Sequence, residues 1–392
     1  MKLDVLRSFT AAVVVAALGG CSNGTSTTAT PASPSPTPAA PPSVIAQLAT
    51  ITTIGTTVDA TNGDTNPYGL AIAPLTVGAM TAGDLVVCNF NSSDPKNGTG
   101  MGTTIEDLSP VAGSKPKRIS QDPSLAGCNA LAINPGAGNI WAAAYTANDN
   151  PIFKPSGALV TTLATNYKWM HPWGQIFGSP TPTAGSTATP PSAFFITDAT
   201  DGSVVQANIT TSGLVFNKIV SGFPQSIDPK YGILAPAGLT YDPASDTLYV
   251  VSSYTDSVLA FSAVSTIPPA GINIVYTPPT TSAGSYGSNS TASSFVFTGP
   301  NAAQAKIVFT GAPLNYPISS ALLYNGDLIV GNTGDNNLIE ITPSTGKVVG
   351  QKLVDTGNAG AIFGIVTSGT SLTTQKIYFN NDNTSSVVEI SQ

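Results

Sequence analysis

Histidine is almost missing from this chain: His171 is the only one among 392 residues. A zinc centre built on three histidines is therefore excluded, and a serine triad has a single residue available as its base. Cysteine is nearly as scarce, with three residues, Cys21, Cys88 and Cys128. None of them shows a C-x-x-C spacing, which removes the usual cysteine-based metal and redox motifs. Charged residues make up only 9% of the chain. Taking away Lys2, Arg7 and Asp4 with the first twenty residues leaves 12 basic and 20 acidic groups, a formal charge of −8. That balance disfavours nucleic acid and anionic membrane surfaces as partners. A long amphipathic helical period is also missing after the N-terminal segment, so the fold must be sought among strands and turns.

What is present begins with an address. Residues 1–20 carry a short charged start at Lys2 and Arg7, an apolar run from Thr10 to Leu18, and small residues ahead of a cysteine. That is a signal peptide's layout. The apolar run is well short of the roughly 18 residues that a membrane-crossing helix needs. Leu18-Gly19-Gly20-Cys21 resembles the lipobox of bacterial lipoproteins. The resemblance implies cleavage before Cys21, diacylation of its thiol, and a membrane partner through that lipid. Ser22 stands where such families place Asp for inner-membrane retention, so outer membrane or cell surface is the expected location. Residues 21–42 are nearly all Ser, Thr, Ala and Pro after the cysteine, a composition that forms a semi-extended tether. At about 3 Å per residue it spans on the order of 60 Å. The remaining 43–392 form the folded domain.

A short pattern recurs six times in that domain: a turn with Pro or a substitute, one residue, then a small residue leading an apolar strand. The copies are Pro67-Tyr68-Gly69, Cys128-Asn129-Ala130, Pro172-Trp173-Gly174, Pro236-Ala237-Gly238, Pro317-Ile318-Ser319 and Ile362-Phe363-Gly364. A second strand follows each copy, as in Asp246 to Val251 and Gly326 to Val330. A polar loop and a third strand come next, as in Ser257 to Phe261, Asn337 to Ile341 and Ser386 to Ile390. Alternating apolar residues punctuated by Gly, Asn and Asp are strand and hairpin signals. Repeats of this size with three or four strands match propeller blades, which hide sheet edges by radial closure. The expected fold is therefore all-β, a six-bladed β-propeller. A seventh blade would have to lie between Ile267 and Ala305, a stretch that reads as a long loop. The segment from Val44 to Thr53 is expected to be a strand that closes the ring against the last blade.

Asn66 to Ile72 and Ala235 to Pro243 resemble NHL-type propeller repeats, and Leu328 to Ile341 and Ile377 to Ile390 fit the second half of the same repeat. Blades one to three depart most, with Cys128 and Ala130 in place of Pro and Gly.

In a blade, the innermost strand starts and the second strand ends at one face. Two sets of positions should therefore surround one mouth: Tyr68, Asn129, Trp173, Ala237, Ile318 and Phe363, then Asn89, Ala144, Asp198, Ser252, Asn332 and Asn381. Aromatic walls with convergent amides suit a neutral polar ligand such as a sugar or peptide. The competing reading is that Asn and Asp merely close turns. His171 is read as a turn residue packed beside Trp169 and Trp173, with hydrogen bonding to a ligand as its other role. Cys88 and Cys128 fall on the same face of adjacent blades, so a disulfide and two free thiols both remain open.

Function follows as three expectations. The first is a non-enzymatic, envelope-displayed module that binds a protein or a glycan and needs no cofactor. The second comes from propeller lactonases similar to gluconolactonase and paraoxonase, which hold calcium at this mouth; that resemblance implies oxygen ligands from Asn89, Asp198, Asn332 and Asn381. One carboxylate is a thin donor set for a dication. The third is a self-associating surface-layer or filament subunit, suggested by the neutral Thr- and Asn-rich surface.

Overall fold

A computed structural model describes residues 42–164, 166–182, 192–229, 232–278 and 294–392. The expected signal peptide, Cys21 and the expected tether before Pro42 lie outside the described residues. Among those described, no helix is long and apolar enough to cross a membrane.

Six four-stranded antiparallel units form the six blades of a β-propeller, and in the first five the innermost strand comes first in sequence. The innermost strands are Thr65–Ile72, Cys128–Ile133, Pro172–Gly178, Pro236–Asp242, Pro317–Leu322 and Ile362–Ser368. Every one begins at or just before a copy of the repeat. Five second strands end at the expected positions and that of blade 1 runs on to Asn91, while Pro67, Cys128, Pro172, Pro236, Pro317 and Ile362 pair with Asn89, Ala144, Asp198, Ser252, Asn332 and Asn381.

The ring closes through the N-terminus. Thr50–Thr56 pairs antiparallel with Ser386–Ser391 and supplies the outer strand of blade 6. The start of that segment differs from expectation: Val44–Gln47 is a single helical turn, not strand. Ser43 caps it, its hydroxyl accepting the Ala46 N–H, and the Glu340 carboxylate accepts Val44 N–H at 3.0 Å and Ile45 N–H at 2.9 Å. An acceptor pair aimed at free N–H groups favours a helix start over an extended chain. The turn packs Val44, Ile45 and Leu48 into an apolar cluster with Ile329, Ile362 and Phe379 of blades 5 and 6.

The stretch expected to be a loop also holds structure. Ile272–Thr277 and Ser294–Thr298 form a hairpin that joins the outer strand of blade 3 in parallel, through Val220 and Ser221. Its inward residues Ile272 and Ile274, with Phe295 and Phe297, cover the apolar seam between blades 3 and 4 around Phe195, Leu239 and Phe261. Each such large apolar side chain buried contributes about 1.5–3 kcal/mol, which explains why a polar-looking insertion folds back onto the sheet.

Candidate functional site

The repeat's geometry explains its residues. The pairing register of every inner strand shifts at the repeat, between Pro67 and Gly69, Cys128 and Ala130, Pro172 and Gln175, Pro236 and Leu239, Pro317 and Ser319, and Ile362 and Ile365. An extra residue in a bulge escapes the ladder and its side chain is re-aimed. Tyr68, Asn129, Trp173, Ala237, Ile318 and Phe363 occupy these bulges, and all but Ala237 line an axial cavity of about 70 Å³. The small residue that follows is required by the neighbouring blade. A Cβ on Gly174 would meet Ala237 O at 2.2 Å, one on Gly238 would meet Ser319 Cα at 2.7 Å, and one on Gly364 would meet Tyr68 O at 2.6 Å.

The second ring of expected positions lies behind the mouth. Asn89, Asp198, Ser252 and Asn332 are fully buried and Asn381 nearly so. Four of them hold the segment that enters their own blade. Asn89 donates to Thr57 O at 2.9 Å, Asn332 to Pro313 O at 2.8 Å, and Asn381 to Asp355 Oδ2 at 2.9 Å, while both Asp198 oxygens accept Met170 N–H at 2.9 Å. These side chains are latches: the amides expected to converge on a ligand give their N–H groups to the chain itself, while Oδ1 of Asn89, Asn332 and Asn381 has no partner. Asn129 also donates inward, to Pro172 O at 3.2 Å, although it lines the axial cavity. Ala144 contributes backbone pairing alone at this level.

The oxygen set suits a dication poorly. Asp198 is its single carboxylate, both of its oxygens already accept the Met170 N–H, and burial pushes it up to about 7. The four residues are spread one each over blades 3, 1, 5 and 6, and among the described residues no group of three or more His, Cys, Asp or Glu is placed to hold a metal.

A further regularity escaped the sequence reading. Four residues after the end of the second strand stand Asn148, Gly202, Asp256, Asn336 and Ser385, all with positive φ. Each clasps the chain entering the next blade or its connector: Asn148 Oδ1 accepts His171 N–H at 2.7 Å, Asp256 Oδ1 accepts Tyr316 N–H at 2.8 Å, and Asn336 Oδ1 accepts Ala361 N–H at 3.0 Å. Gly202 and Ser385 do the same with backbone carbonyls, to Phe223 and Thr57. The signal was available as Gly, Asn or Asp at constant offset, the residue types that tolerate the left-handed region.

The mouth itself is aromatic. Phe363 stacks on Tyr68 at 3.5 Å between ring centroids, Tyr68 on Phe90 at 4.3 Å, and Phe90 meets Tyr145 at 6.4 Å. Tyr145 then stacks on His171 at 4.3 Å and takes Trp173 edge-on at 5.7 Å. All six rings are partly exposed, so they form one arc across blades 6, 1, 2 and 3. Phe90 and Tyr145 sit one residue past the second-strand positions read from the sequence. His171 packs on Tyr145, not beside Trp169, which is buried with Tyr167 and Phe216. Its Nδ1 lies 2.9 Å from Tyr145 O. A carbonyl only accepts, so Nδ1 carries the proton and Nε2 is left as an acceptor in the neutral ring.

Cys88 and Cys128 are bonded across the seam between blades 1 and 2, with Cα atoms 5.9 Å apart. A larger cavity of about 440 Å³ opens on the opposite face between blades 4 and 5. Its carboxylates are engaged locally: Asp242 accepts Ala244 N–H and the Ser245 hydroxyl, and Asp327 accepts from Asn325. That cavity has one aromatic residue in its lining, Tyr249, whereas the mouth has an arc of six rings.

No protein-family model matches the chain, and no curated protein matches it. Among solved structures, a chain of a nidogen/laminin complex aligns over 82% of this chain and 98% of its own, at 13% identity and a TM-score of 0.50. A gluconolactonase from Xanthomonas campestris aligns over 83% and 86%, at 10% identity and a TM-score of 0.51. The likeness is one of fold, and the fold is the β-propeller.

Proposed function

We propose that this chain is a lipid-anchored envelope protein whose propeller mouth binds a glycan without catalysing its conversion. The observation that carries the reading is the arc of six partly exposed rings from Phe363 to Trp173. Flat apolar ring faces suit the C–H faces of sugars, and a few polar tips at their rims fix orientation. The sequence supplies the display: a lipobox at Leu18 to Cys21 and a tether long enough to hold the domain away from the lipid. Similarity to a gluconolactonase keeps a hydrolase in view only at the level of fold, since fold alone does not carry function.

The test is an equilibrium titration of the full chain with soluble glycans of stated composition, followed by tryptophan fluorescence. Trp173 belongs to the arc and Trp169 lies close behind it in sequence. Saturable change that disappears in Tyr145→Ala supports the reading. Hydrolysis of a lactone or ester by the wild-type chain, with no saturable glycan response, overturns it in favour of the lactonase.

A further inference from the structure

The ring of residues one past Asn89, Ala144, Asp198, Ser252, Asn332 and Asn381 runs Phe90, Tyr145, Ala199, Ser253, Thr333 and Asp382. In blades 1 and 2 it supplies two members of the aromatic arc. In blades 4 and 5 its hydroxyls are taken up by backbone carbonyls, Ser253 Oγ by Ala235 O and Thr333 Oγ1 by Tyr316 O. Blade 6 differs by placing a carboxylate there. Asp382 opens a short turn, Asp382–Thr384, that packs against the inner strand of blade 1, the strand that carries Tyr68.

The Asp382 carboxylate is not latched in the manner of Asp198. Its Oδ1 is buried with no hydrogen-bond partner. Burial raises this group to about 7. Two more buried acceptors close to the same mouth have no partner either, Asn381 Oδ1 beside it in sequence and Asn129 Oδ1 in the lining of the axial cavity. Every one of these three unsatisfied groups is an oxygen that needs a donor, and leaving it unmade is costly. Donors that are also cations gain twice here, from the carboxylate and from the outer ring faces of Phe363 and Phe90, between which Tyr68 is stacked. The mature chain's charge of −8 draws such ligands toward it.

We propose that the mouth selects a sugar bearing a free amine, with its ammonium seated between Asp382 and the Phe363–Tyr68–Phe90 stack. This rests on the glycan reading above and names the ligand's chemistry.

The experiment compares a glucosamine tetramer with its N-acetylated counterpart, each titrated into the full chain at neutral pH and low salt. The two ligands differ in whether the nitrogen carries charge. The free-amine tetramer is expected to bind about tenfold more tightly. That preference should shrink toward unity in Asp382→Asn, and also in the wild-type chain at high salt, a measurement that does not depend on how the variant folds. Equal affinities for the two tetramers in the wild type overturn the amine assignment and leave the glycan reading standing. A preference that survives both Asp382→Asn and high salt overturns it as well. Binding of neither tetramer removes the glycan reading and this inference together.

Discussion

Ser43 donates its hydroxyl to Glu340 Oε2 at 2.6 Å across 297 residues, so the first ordered turn of the domain is fastened to the third strand of blade 5. Val44 and Ile45 give the same carboxylate their N–H groups, and Lys352 Nζ reaches Leu48 O at 2.9 Å at the end of the turn. A Cβ on Gly350 would meet Ser43 Oγ at 2.1 Å, so the clasp also depends on a glycine. Because the ring-closing strand Thr50–Thr56 follows directly, a pull on the chain ahead of Ser43 would be met by Glu340 before it reached blade 6.

Glu340→Ala is therefore expected to destabilise the chain. It strands two backbone donors and a hydroxyl in a buried place, a loss of about 2–4 kcal/mol. Urea denaturation read by tryptophan fluorescence would show a lower midpoint with an unchanged slope. An unchanged midpoint would mean that the turn is held by its apolar contacts alone.

The Cys88–Cys128 bond closes a loop with a sequence separation of 40. By loop-closure entropy it stabilises the fold by about 4 kcal/mol. Mass spectrometry after alkylation without reduction should find neither residue modified, and Cys88→Ser should lower the melting temperature. Two alkylated thiols in the native chain would show the pair reduced.

At the axis, Gly238→Ala places a methyl 2.7 Å from Ser319 Cα, against backbone that cannot swing aside. Overpacking of this kind costs about 1–3 kcal/mol. The same exchange at Gly83, where nothing lies within 4 Å, provides a control for φ alone, because its φ is +91°. Parallel thermal melts of the two variants should separate steric crowding at the ring from backbone strain.

Much of the fold was legible because the ring imposes the same two demands on every blade: a bulge to turn one side chain inward and a small residue where strands crowd. Ala130 and Ser319 satisfy the second demand as Gly does, which is why degenerate copies could still be aligned. The helical turn at Val44–Gln47 was not legible, since its cause is Glu340, almost 300 positions away. The hairpin from Ile272 was hidden for a related reason: its inward residues alternate with Asn273 and Val275, and their apolar partners lie in blades 3 and 4. Of the candidate site, the bulge residues were placed correctly at the axis. The amides behind them give their N–H groups to the chain itself, because Asn at a strand end serves a neighbouring carbonyl as readily as a ligand, and sequence does not show which is nearer.

Chelation offers a direct check on the metal expectation. A ligand that binds only the folded state must raise its melting temperature. With Asp198 doubly engaged by Met170 N–H, melts in excess calcium and in excess chelator are expected to coincide. A calcium-dependent rise of several degrees would restore the hydrolase and make lactones the next substrates to try.

The pH dependence of stability should show two limbs of opposite sign. Glu106 is buried in blade 1 facing Asp59, and burial, with hydrogen bonding to Asp59 and its charge, holds Glu106 well above the usual carboxylate range. Burial likewise lifts Asp198 and Asp382 to about 7, and Asp256 to about 6. A carboxyl raised on folding binds its proton more tightly in the native state, so its contribution is complete below the unfolded value near 4 and is lost as pH rises through the folded one. Asp59 opposes them. Although burial alone would raise it, the paired hydrogen bonds from Arg118, with donors from Glu106, Asn62 and Thr61, hold it well below its ordinary value. Its contribution is present above about pH 4 and disappears in stronger acid. The melting temperature should therefore climb as pH falls from 8 to about 5 and drop again below about 4. Glu106→Gln keeps a donor opposite Asp59 without a proton to lose, so it should flatten the alkaline limb and leave the acid limb in place. A variant with both limbs unchanged would move the alkaline loss to the buried aspartates of blades 3, 4 and 6.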